Sequence, residues 1–427
     1  MSESKQIVVV GLGYVGLPLA LALAGEFPTV GFDSDPVRIE QLLDGFDRNL
    51  EIESQLLSKN NLSFSSDESV LDGAEMVVVT VPTPVTDDKR PDLSMLERAS
   101  AMVGRSLERN PVRNSVPIIV YESTTYPGCT EEFCGPIIAQ ESGLQLGIDF
   151  LLGYSPERTN FGDAEHTLES ITKVVSGQTD YASEKIAEVY GKIAKAGVHR
   201  ASGIKVAEAA KVIENVQRDL NIALFNEAAM IFDRMGINSA SVFEAAGTKW
   251  NFQRYQPGLV GGHCIPVDPY YLTYAAEQVS YDAKVILAGR RFNEEMVNLV
   301  ADKVTTMIES TGRLASESSV LVLGQTFKAN VADFRNSKAK TLYSILLGSC
   351  RSVDSYDPYE DTSLSNDHLF ESDVKYDAVI LAVGHGQFIT SARKIVDLVE
   401  SNGVLVDLAD VFAPEIISNS DVNFWKL

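Results

Sequence analysis

"QIVVVGLGYVGLPLALALAG", from Gln6 to Gly25, decides the fold of this chain. The apolar run ahead of Gly11 reads as the first strand of a βαβ unit. "LPLALALAG", after the third glycine, is rich in leucine and alanine and reads as a helix. Between the two runs, Gly11, Gly13 and Gly16 fall on the G-x-G-x-x-G spacing. The first glycine permits a tight turn, the second lets backbone approach a pyrophosphate, and the third lets helix and strand pack closely. "TVGFD" then returns to a strand ending at Asp33. A carboxylate there accepts the ribose hydroxyls of NAD and repels the extra phosphate of NADP, so NAD is the expected cofactor.

Outward from this unit the alternation continues. "AEMVVVTVP", "VPIIVYEST" and "DFLLGYSPE" read as further strands whose polar or proline-rich ends gather where an open sheet binds its ligands. From Ile204 to Met235 the pattern becomes one long helix. After "RLASES", the runs "SVLVLG", "RSVDSYDP", "YDAVILAVG" and "GVLVDLAD" begin a second α/β region. It lacks the full glycine fingerprint and offers "GQTFKANVADFRN", so a different nucleotide is expected there. The expected fold is α/β, two doubly wound (Rossmann-like) domains joined by a long central helix. The expected domains are 1–200, 201–312 and 313–427.

Composition narrows the function. A chain of 427 residues, 45% hydrophobic and 22% charged, can build two or three globular domains. Its net charge of -23 repels nucleic acid, which is not an expected partner. No apolar run is long enough to span a bilayer, and no membrane partner is expected. Four cysteines and no charged-then-apolar leader at "MSESKQIVVV" lead to the expectation of a cytoplasmic protein with reduced thiols.

The chemistry is carried by "PGLVGGHCIPVDPYYL", which sets Cys264 among Gly258, Gly261 and Gly262 and ahead of Asp268. A structural cysteine needs no such permissive backbone; a reactive thiolate, a metal ligand or a disulfide half does. Metal ligation is disfavoured because adjoining side chains such as His263 and Cys264 rarely converge on one ion, and no metal is expected. Cys129 and Cys134 lack a zinc spacing and read as structural. A nucleophilic cysteine with NAD points to aldehyde oxidation: thiolate addition, hydride loss from the thiohemiacetal, and hydrolysis of the thioester. Two classes fit, an aldehyde dehydrogenase and an enzyme that first makes its aldehyde from an alcohol.

"GLGYVGLP", "VPTP", "YESTTYPGCTEE", "GYSPER", "KVAEAAKVIENVQRDLNIALFNE", "KWNF", the cysteine motif, "LAGRR" and "FKANVADFRN" together resemble the UDP-glucose/GDP-mannose dehydrogenase family. Within it they are most similar to the UDP-N-acetylglucosamine and UDP-N-acetylgalactosamine 6-dehydrogenases of capsule and O-antigen synthesis. The resemblance implies oxidation of a sugar C6 alcohol to a carboxylate with two NAD. It implies that Cys264 is the nucleophile, that Lys211 stabilises the oxyanion, and that Asn215 and Asp268 hold a proton-relaying water. It implies that Thr124 helps place the catalytic water and Glu157 is a general base, against which stands a plain salt bridge of Glu157 with Arg158. The implied cofactor site comprises Gly11, Gly13, Tyr14, Val15, Gly16, Asp33, Arg38, Pro82, Thr83, Ser123, Thr124 and Arg335. The implied UDP-sugar site comprises Glu157, Arg158, Lys211, Asn215, Arg218, Tyr255, Gly258, Gly261, Phe327 and Lys328, with Lys328 at the nucleotide end. UDP-glucose and UDP-N-acetylmannosamine are the alternative substrates, and a non-catalytic nucleotide-sugar binding protein is the alternative of another class.

Three positions depart from the family pattern: Gln256 where an arginine is usual, Phe161 where a proline is common, and no proline before Asp333. They bear on the sugar more than on the reaction. The central helix carries more apolar residues, among them Val212, Ile213, Val216, Leu224, Phe225 and Ile231, than one helix face buries in a monomer. A homodimer built on this helix is therefore expected, sensitive to a charge at Phe225.

Overall fold

The computed structural model describes residues 6–49, 52–58, 61–110, 115–159, 165–360, 370 and 374–427; Phe161 lies outside them. The chain divides into two compact units, Met1–Glu214 with Tyr270–Asp282, and Asn215–Pro269 with Ala283–Leu427. The helix Ile204–Arg234 contributes to both.

The first unit holds β1 (Ile7–Val10), β2 (Thr29–Phe32), β3 (Leu62–Ser65), β4 (Met76–Val79), β5 (Ile118–Tyr121), β6 (Leu151–Tyr154), β7 (Lys173–Gly177) and β8 (Val198–Arg200). They form one sheet in the order β3-β2-β1-β4-β5-β6-β7-β8, parallel except for the β6–β7 pair. Alternate residues of each strand feed opposite layers. Val8, Val10, Val77, Val79 and Ile119 pack with Leu96, Met102 and Val103 of the helix Ser94–Arg109. Ile7, Val9, Met76, Val78 and Val120 pack with Leu17, Leu19 and Leu23 of the helix Gly16–Ala24. This two-sided burial is why the strands read as unbroken apolar runs. Strand order reverses between β1 and β4, the switch point where such sheets bind ligands.

Gly16 is fixed by contact. A Cβ there would lie 1.8 Å from the Gly11 carbonyl oxygen and 2.4 Å from Thr80 Oγ1. Gly16→Ala is expected to cost about 3 kcal/mol through overpacking, read as a lower urea midpoint at unchanged slope.

The second unit holds β9 (Ser319–Leu323), β10 (Ser352–Tyr356), β11 (Tyr376–Leu381), β12 (Val399–Asp407) and β13 (Val422–Lys426), all parallel in the order β10-β9-β11-β12-β13. Val320 and Val322 pack on Met296, Val300 and Val304 of the helix Lys284–Ser310, while Leu321 and Leu323 pack on Phe388 and Ile395. The sheet reverses between β9 and β11, which places the loop after β9 at its switch point. Two doubly wound sheets linked by a long helix are thus present as expected. The strand β13 was not anticipated: "VNFWK" is half-exposed along one edge and lacks an apolar run.

No helix among the described residues is long and apolar enough to cross a membrane.

Candidate active site

The glycine turn is shaped for a diphosphate. Gly11 has φ +92°, Gly13 has nothing within 4 Å of the position a Cβ would take, and the helix Gly16–Ala24 starts at Val15 with no side-chain cap. Bare N–H groups at an uncapped helix start, reached over an open glycine, make an anion site. Tyr14 and Val15 are half-buried beside it. Asp33, at the end of β2, is aimed by two backbone donors: Leu12 N–H at 2.8 Å and Asp35 N–H at 3.0 Å. These residues fit NAD: backbone amides for the pyrophosphate, the Asp33 carboxylate for the ribose. Asp33→Ala is expected to weaken NAD at least about tenfold and to narrow its advantage over NADP, measured by titration of each cofactor; an unchanged preference would contradict this assignment.

Other expected cofactor residues are already engaged in holding the turn. Arg38 is buried; its Nε donates to the Leu12 carbonyl at 3.0 Å and its Nη2 pairs with Asp47 at 2.8 Å. It braces the fingerprint from inside, and its Nη1 has no hydrogen-bond partner among the described residues. Ser123 Oγ donates to the Val81 carbonyl at 2.6 Å, joining the loops that follow β4 and β5. The Thr83 carbonyl accepts from Tyr271 at 3.0 Å, and Pro82 is exposed on the same loop. Thr124 is half-buried next to Ser123.

Glu157 follows β6, and the plain salt bridge with Arg158 that stood against its role as a base does not form. The Arg158 guanidinium instead grips Glu214 at 2.9 Å and the Thr172 carbonyl at 2.9 Å. Glu157 accepts from the backbone N–H of Arg158 at 2.8 Å and of Thr159 at 2.5 Å, and from Lys173 Nζ at 3.3 Å. Burial disfavours its charge, but Lys173, the Thr159 hydrogen bonds and Lys211 outweigh burial and hold its carboxyl at about 2. Its surroundings therefore favour the charged form.

Lys173 has no counterpart among the residues singled out from sequence. Fully buried in β7, it also meets Glu122 at 2.7 Å, and Glu122 accepts from the Tyr190 hydroxyl. Burial pushes Glu122 up while the Lys173 charge pulls it back. Glu208, also buried, accepts from Gly128 N–H at 2.6 Å, Thr130 N–H at 2.9 Å and the Thr125 hydroxyl at 3.2 Å, pinning the loop that carries Thr124. Cys129 and Cys134 are buried, and their mutual hydrogen bond and burial push the Cys129 thiol far up, which leaves it inert. Lys211 is buried on the central helix, one turn before Asn215.

In the second unit, Cys264 is half-buried and its carbonyl accepts from Val267 N–H at 3.0 Å and Asp268 N–H at 2.8 Å. That turn delivers the buried Asp268 carboxylate to Asn215 Nδ2 at 2.5 Å. Gly258 is held at both ends by Asn226, whose amide oxygen accepts from Gly258 N–H at 2.8 Å and whose Nδ2 donates to the Gly258 carbonyl at 3.0 Å. Tyr255 packs 6.0 Å from the Phe225 ring, and Arg218 is exposed. Phe327 covers the Gly261–Gly262 turn, where a Cβ on Gly262 would lie 2.7 Å from its ring. Lys328 follows, its carbonyl accepting from Thr326 Oγ1 at 2.9 Å. Arg335 is exposed and chelates Asp333 through Nε at 3.0 Å and Nη2 at 2.7 Å.

Residues 5–194 match the NAD binding domain of the UDP-glucose/GDP-mannose dehydrogenase family, residues 205–295 its central domain, and residues 321–414 its UDP binding domain. The chain is 47% identical over 393 residues to the UDP-N-acetyl-D-glucosamine 6-dehydrogenase of Salmonella typhi, covering 90% of this chain and 91% of that one. It is 45% identical over 417 residues to the enzyme of the same name from Pseudomonas aeruginosa, covering 95% and 97%. Its structure is similar to that of the UDP-D-ManNAc dehydrogenase of Pyrococcus horikoshii, with a TM-score of 0.88 at 29% identity over 98% of both chains. A glycine turn that fits NAD, a second doubly wound sheet and three matched domains in order establish that the chain belongs to the UDP-glucose/GDP-mannose dehydrogenase family of NAD-dependent enzymes.

Proposed function

We propose that this enzyme oxidises the C6 alcohol of a UDP-N-acetylhexosamine to the uronate in two successive two-electron steps, in the cytoplasm, for capsule or O-antigen precursor synthesis. The observation that carries the reading is the Cys264 turn, where a half-buried thiol among glycines leads directly into the Asp268–Asn215 pair. The relatives named UDP-N-acetyl-D-glucosamine 6-dehydrogenase, at 45% and 47% identity, support the sugar. We assign residues 1–200 to NAD, 201–312 to the central and dimerising region, and 313–427 to the UDP-sugar.

Bound NAD supplies the chemistry of hydride acceptance at both oxidations. Lys211, an ammonium held out of bulk water, stabilises the negative oxygen of the alkoxide and then of the tetrahedral adduct. The Cys264 thiolate adds to the aldehyde carbon, forming a C–S bond and placing the charge on oxygen. Loss of hydride from that carbon leaves a thioester. A water held by Asp268 and Asn215, which Thr124 is assigned to help place, attacks the thioester carbon; the C–S bond breaks and the carboxylate leaves. The sum is one alcohol, one water and two NAD+ giving one carboxylate, two NADH and three protons. Glu157, Arg158, Arg218, Tyr255, Gly258, Gly261, Phe327 and Lys328 bind the substrate, and Arg335 completes the cofactor set.

A panel of UDP-N-acetylglucosamine, -galactosamine and -mannosamine with UDP-glucose tests this reading. The two expected sugars should give the highest kcat/KM. The similarity to the Pyrococcus horikoshii UDP-D-ManNAc dehydrogenase favours UDP-N-acetylmannosamine as the second reading, and its dominance in the panel would establish that one instead. Tight UDP-sugar binding with no turnover of any would leave the non-catalytic reading.

The homodimer takes a corrected form. Phe225 is buried against Phe243, Phe252 and Tyr255 of its own unit, so a charge there would disrupt the fold rather than report on a partner. Ile213, Leu224 and Ile231 are exposed at 51%, 60% and 50%, and their separations of about three and two helical turns align them on one stripe. We infer that a second copy covers this stripe about a two-fold axis. Leu224→Glu is expected to convert the dimer to monomer in sedimentation at micromolar protein, with activity lost; a wild-type monomer with full activity would defeat the inference.

A further inference from the structure

The cysteine loop and the loop after β9 are laced together within the second unit. His263, the residue before Cys264, meets Asp333 with Nε2 2.7 Å from Oδ2. The carboxylate can only accept, so Nε2 carries the proton. Gly262 N–H donates to the Asn336 carbonyl at 3.4 Å, and Asn336 Nδ2 donates back to the Gly262 carbonyl at 3.3 Å. The Phe327 ring lies edge-on to His263, centroids 5.6 Å apart, and over Gly262.

The β9 loop is itself closed by Phe327 N–H donating to the Asp333 carbonyl at 3.0 Å. Both ends of this closed segment therefore touch the cysteine loop, and Lys328 lies inside it. Asp333 is held from its other side by Arg335 through its backbone N–H, Nε and Nη2, so the carboxylate that His263 meets has a fixed position. A side chain at Gly262 would collide with Phe327, which means the close approach of the two loops is built into the backbone.

We infer that His263 is a positioning residue that couples a uridine diphosphate on the β9 loop to the placement of Cys264. An anion that engages Lys328 restrains the segment from Phe327 to Asp333, and Asp333 passes that restraint through His263 to the adjoining thiol. This rests on reading the β9 loop as the UDP site, and it adds that the nucleotide half of the substrate orders the nucleophile before the sugar reacts. The thiol is then held at its attacking position in the complex and samples fewer open arrangements.

The test is alkylation of Cys264 by iodoacetamide in the NAD-saturated full-length protein, followed by peptide mass spectrometry with and without UDP, with UDP binding measured by calorimetry. UDP is expected to slow alkylation about fivefold in the wild type, and about threefold in His263→Gln, whose amide still donates to Asp333. In His263→Ala and Asp333→Ala, which cut the link from opposite ends, UDP should still bind yet change the rate by less than about 1.5-fold. Simple shielding of the thiol by bound UDP would slow all four proteins alike and would overturn the inference. So would bound UDP that leaves the wild-type rate unchanged. Failure of UDP to bind the wild type at all would overturn the nucleotide reading of the β9 loop, and the coupling with it. Should His263→Ala not fold, Asp333→Ala against His263→Gln carries the same comparison.

Discussion

Cys264→Ser is expected to lower uronate formation by about a thousandfold or more while NAD affinity and the unfolding midpoint stay within error of the wild type. The residue is half-buried, its backbone carbonyl accepts from Val267 and Asp268 in either variant, and Ser differs from Cys by one atom, so the turn is kept. The chemistry does. A serine hydroxyl is a far poorer nucleophile toward an aldehyde at neutral pH, and the second oxidation acts on the covalent adduct. Alcohol oxidation in the first step needs no thiol, so trace aldehyde with UDP-sugar and NAD is compatible with this account. Steady-state NADH formation together with product analysis checks the result. Uronate at the wild-type rate from Cys264→Ser would remove the thioester from the mechanism.

The second large effect is expected at Lys173. Its ammonium is fully buried between Glu122 at 2.7 Å and Glu157 at 3.3 Å, and removing it leaves two facing carboxylates with no cation. Breaking such a buried arrangement from one side costs about 3–5 kcal/mol, so Lys173→Met should lose that much near pH 8. The pH dependence fixes the mechanism. In the wild type the Glu157 carboxyl is depressed to about 2; its contribution is present above the ordinary glutamate range and lost as pH falls toward that value. In Lys173→Met the largest opposing charge is gone and only the Thr159 and Tyr190 hydrogen bonds and Lys211 still counter burial, so both carboxyls rise and their ionisation destabilises the fold as pH rises. The variant should therefore gain stability on going from pH 8 to pH 5, where the wild type gains none from Glu157. Thermal unfolding of both proteins across that range decides the matter; parallel curves would show that Lys173 is not the partner that keeps Glu157 charged.

What the sequence made legible follows from locality. Strands β1, β4, β5 and β6 are unbroken apolar runs because both sheet faces are covered, and the glycine turn is a short-range pattern. Cys264 and Asp268 were visible for the same reason: one turn of chain carries both. The Lys173 cluster was not, because no local pattern in "TKVVSG" marks a buried lysine, and its partners Glu122, Glu157 and Tyr190 come from different stretches of chain. Arg38 is implied by the family resemblance as a cofactor residue, yet it is 1% exposed because the Leu12 carbonyl and Asp47 receive it. His263 and Asp333 stand 70 residues apart, and no spacing rule joins them. Phe225 reads as one of the apolar residues left over for a partner, because composition alone does not show that Phe243, Phe252 and Tyr255 return to cover it.

The central claim is that one active thiol carries an alcohol through to a carboxylate with two hydride transfers. Counting NADH against uronate with UDP-N-acetylglucosamine as limiting substrate tests it most directly. The account predicts two NADH for each uronate and no free aldehyde; one NADH for each sugar, with the aldehyde as the accumulated product, would contradict it.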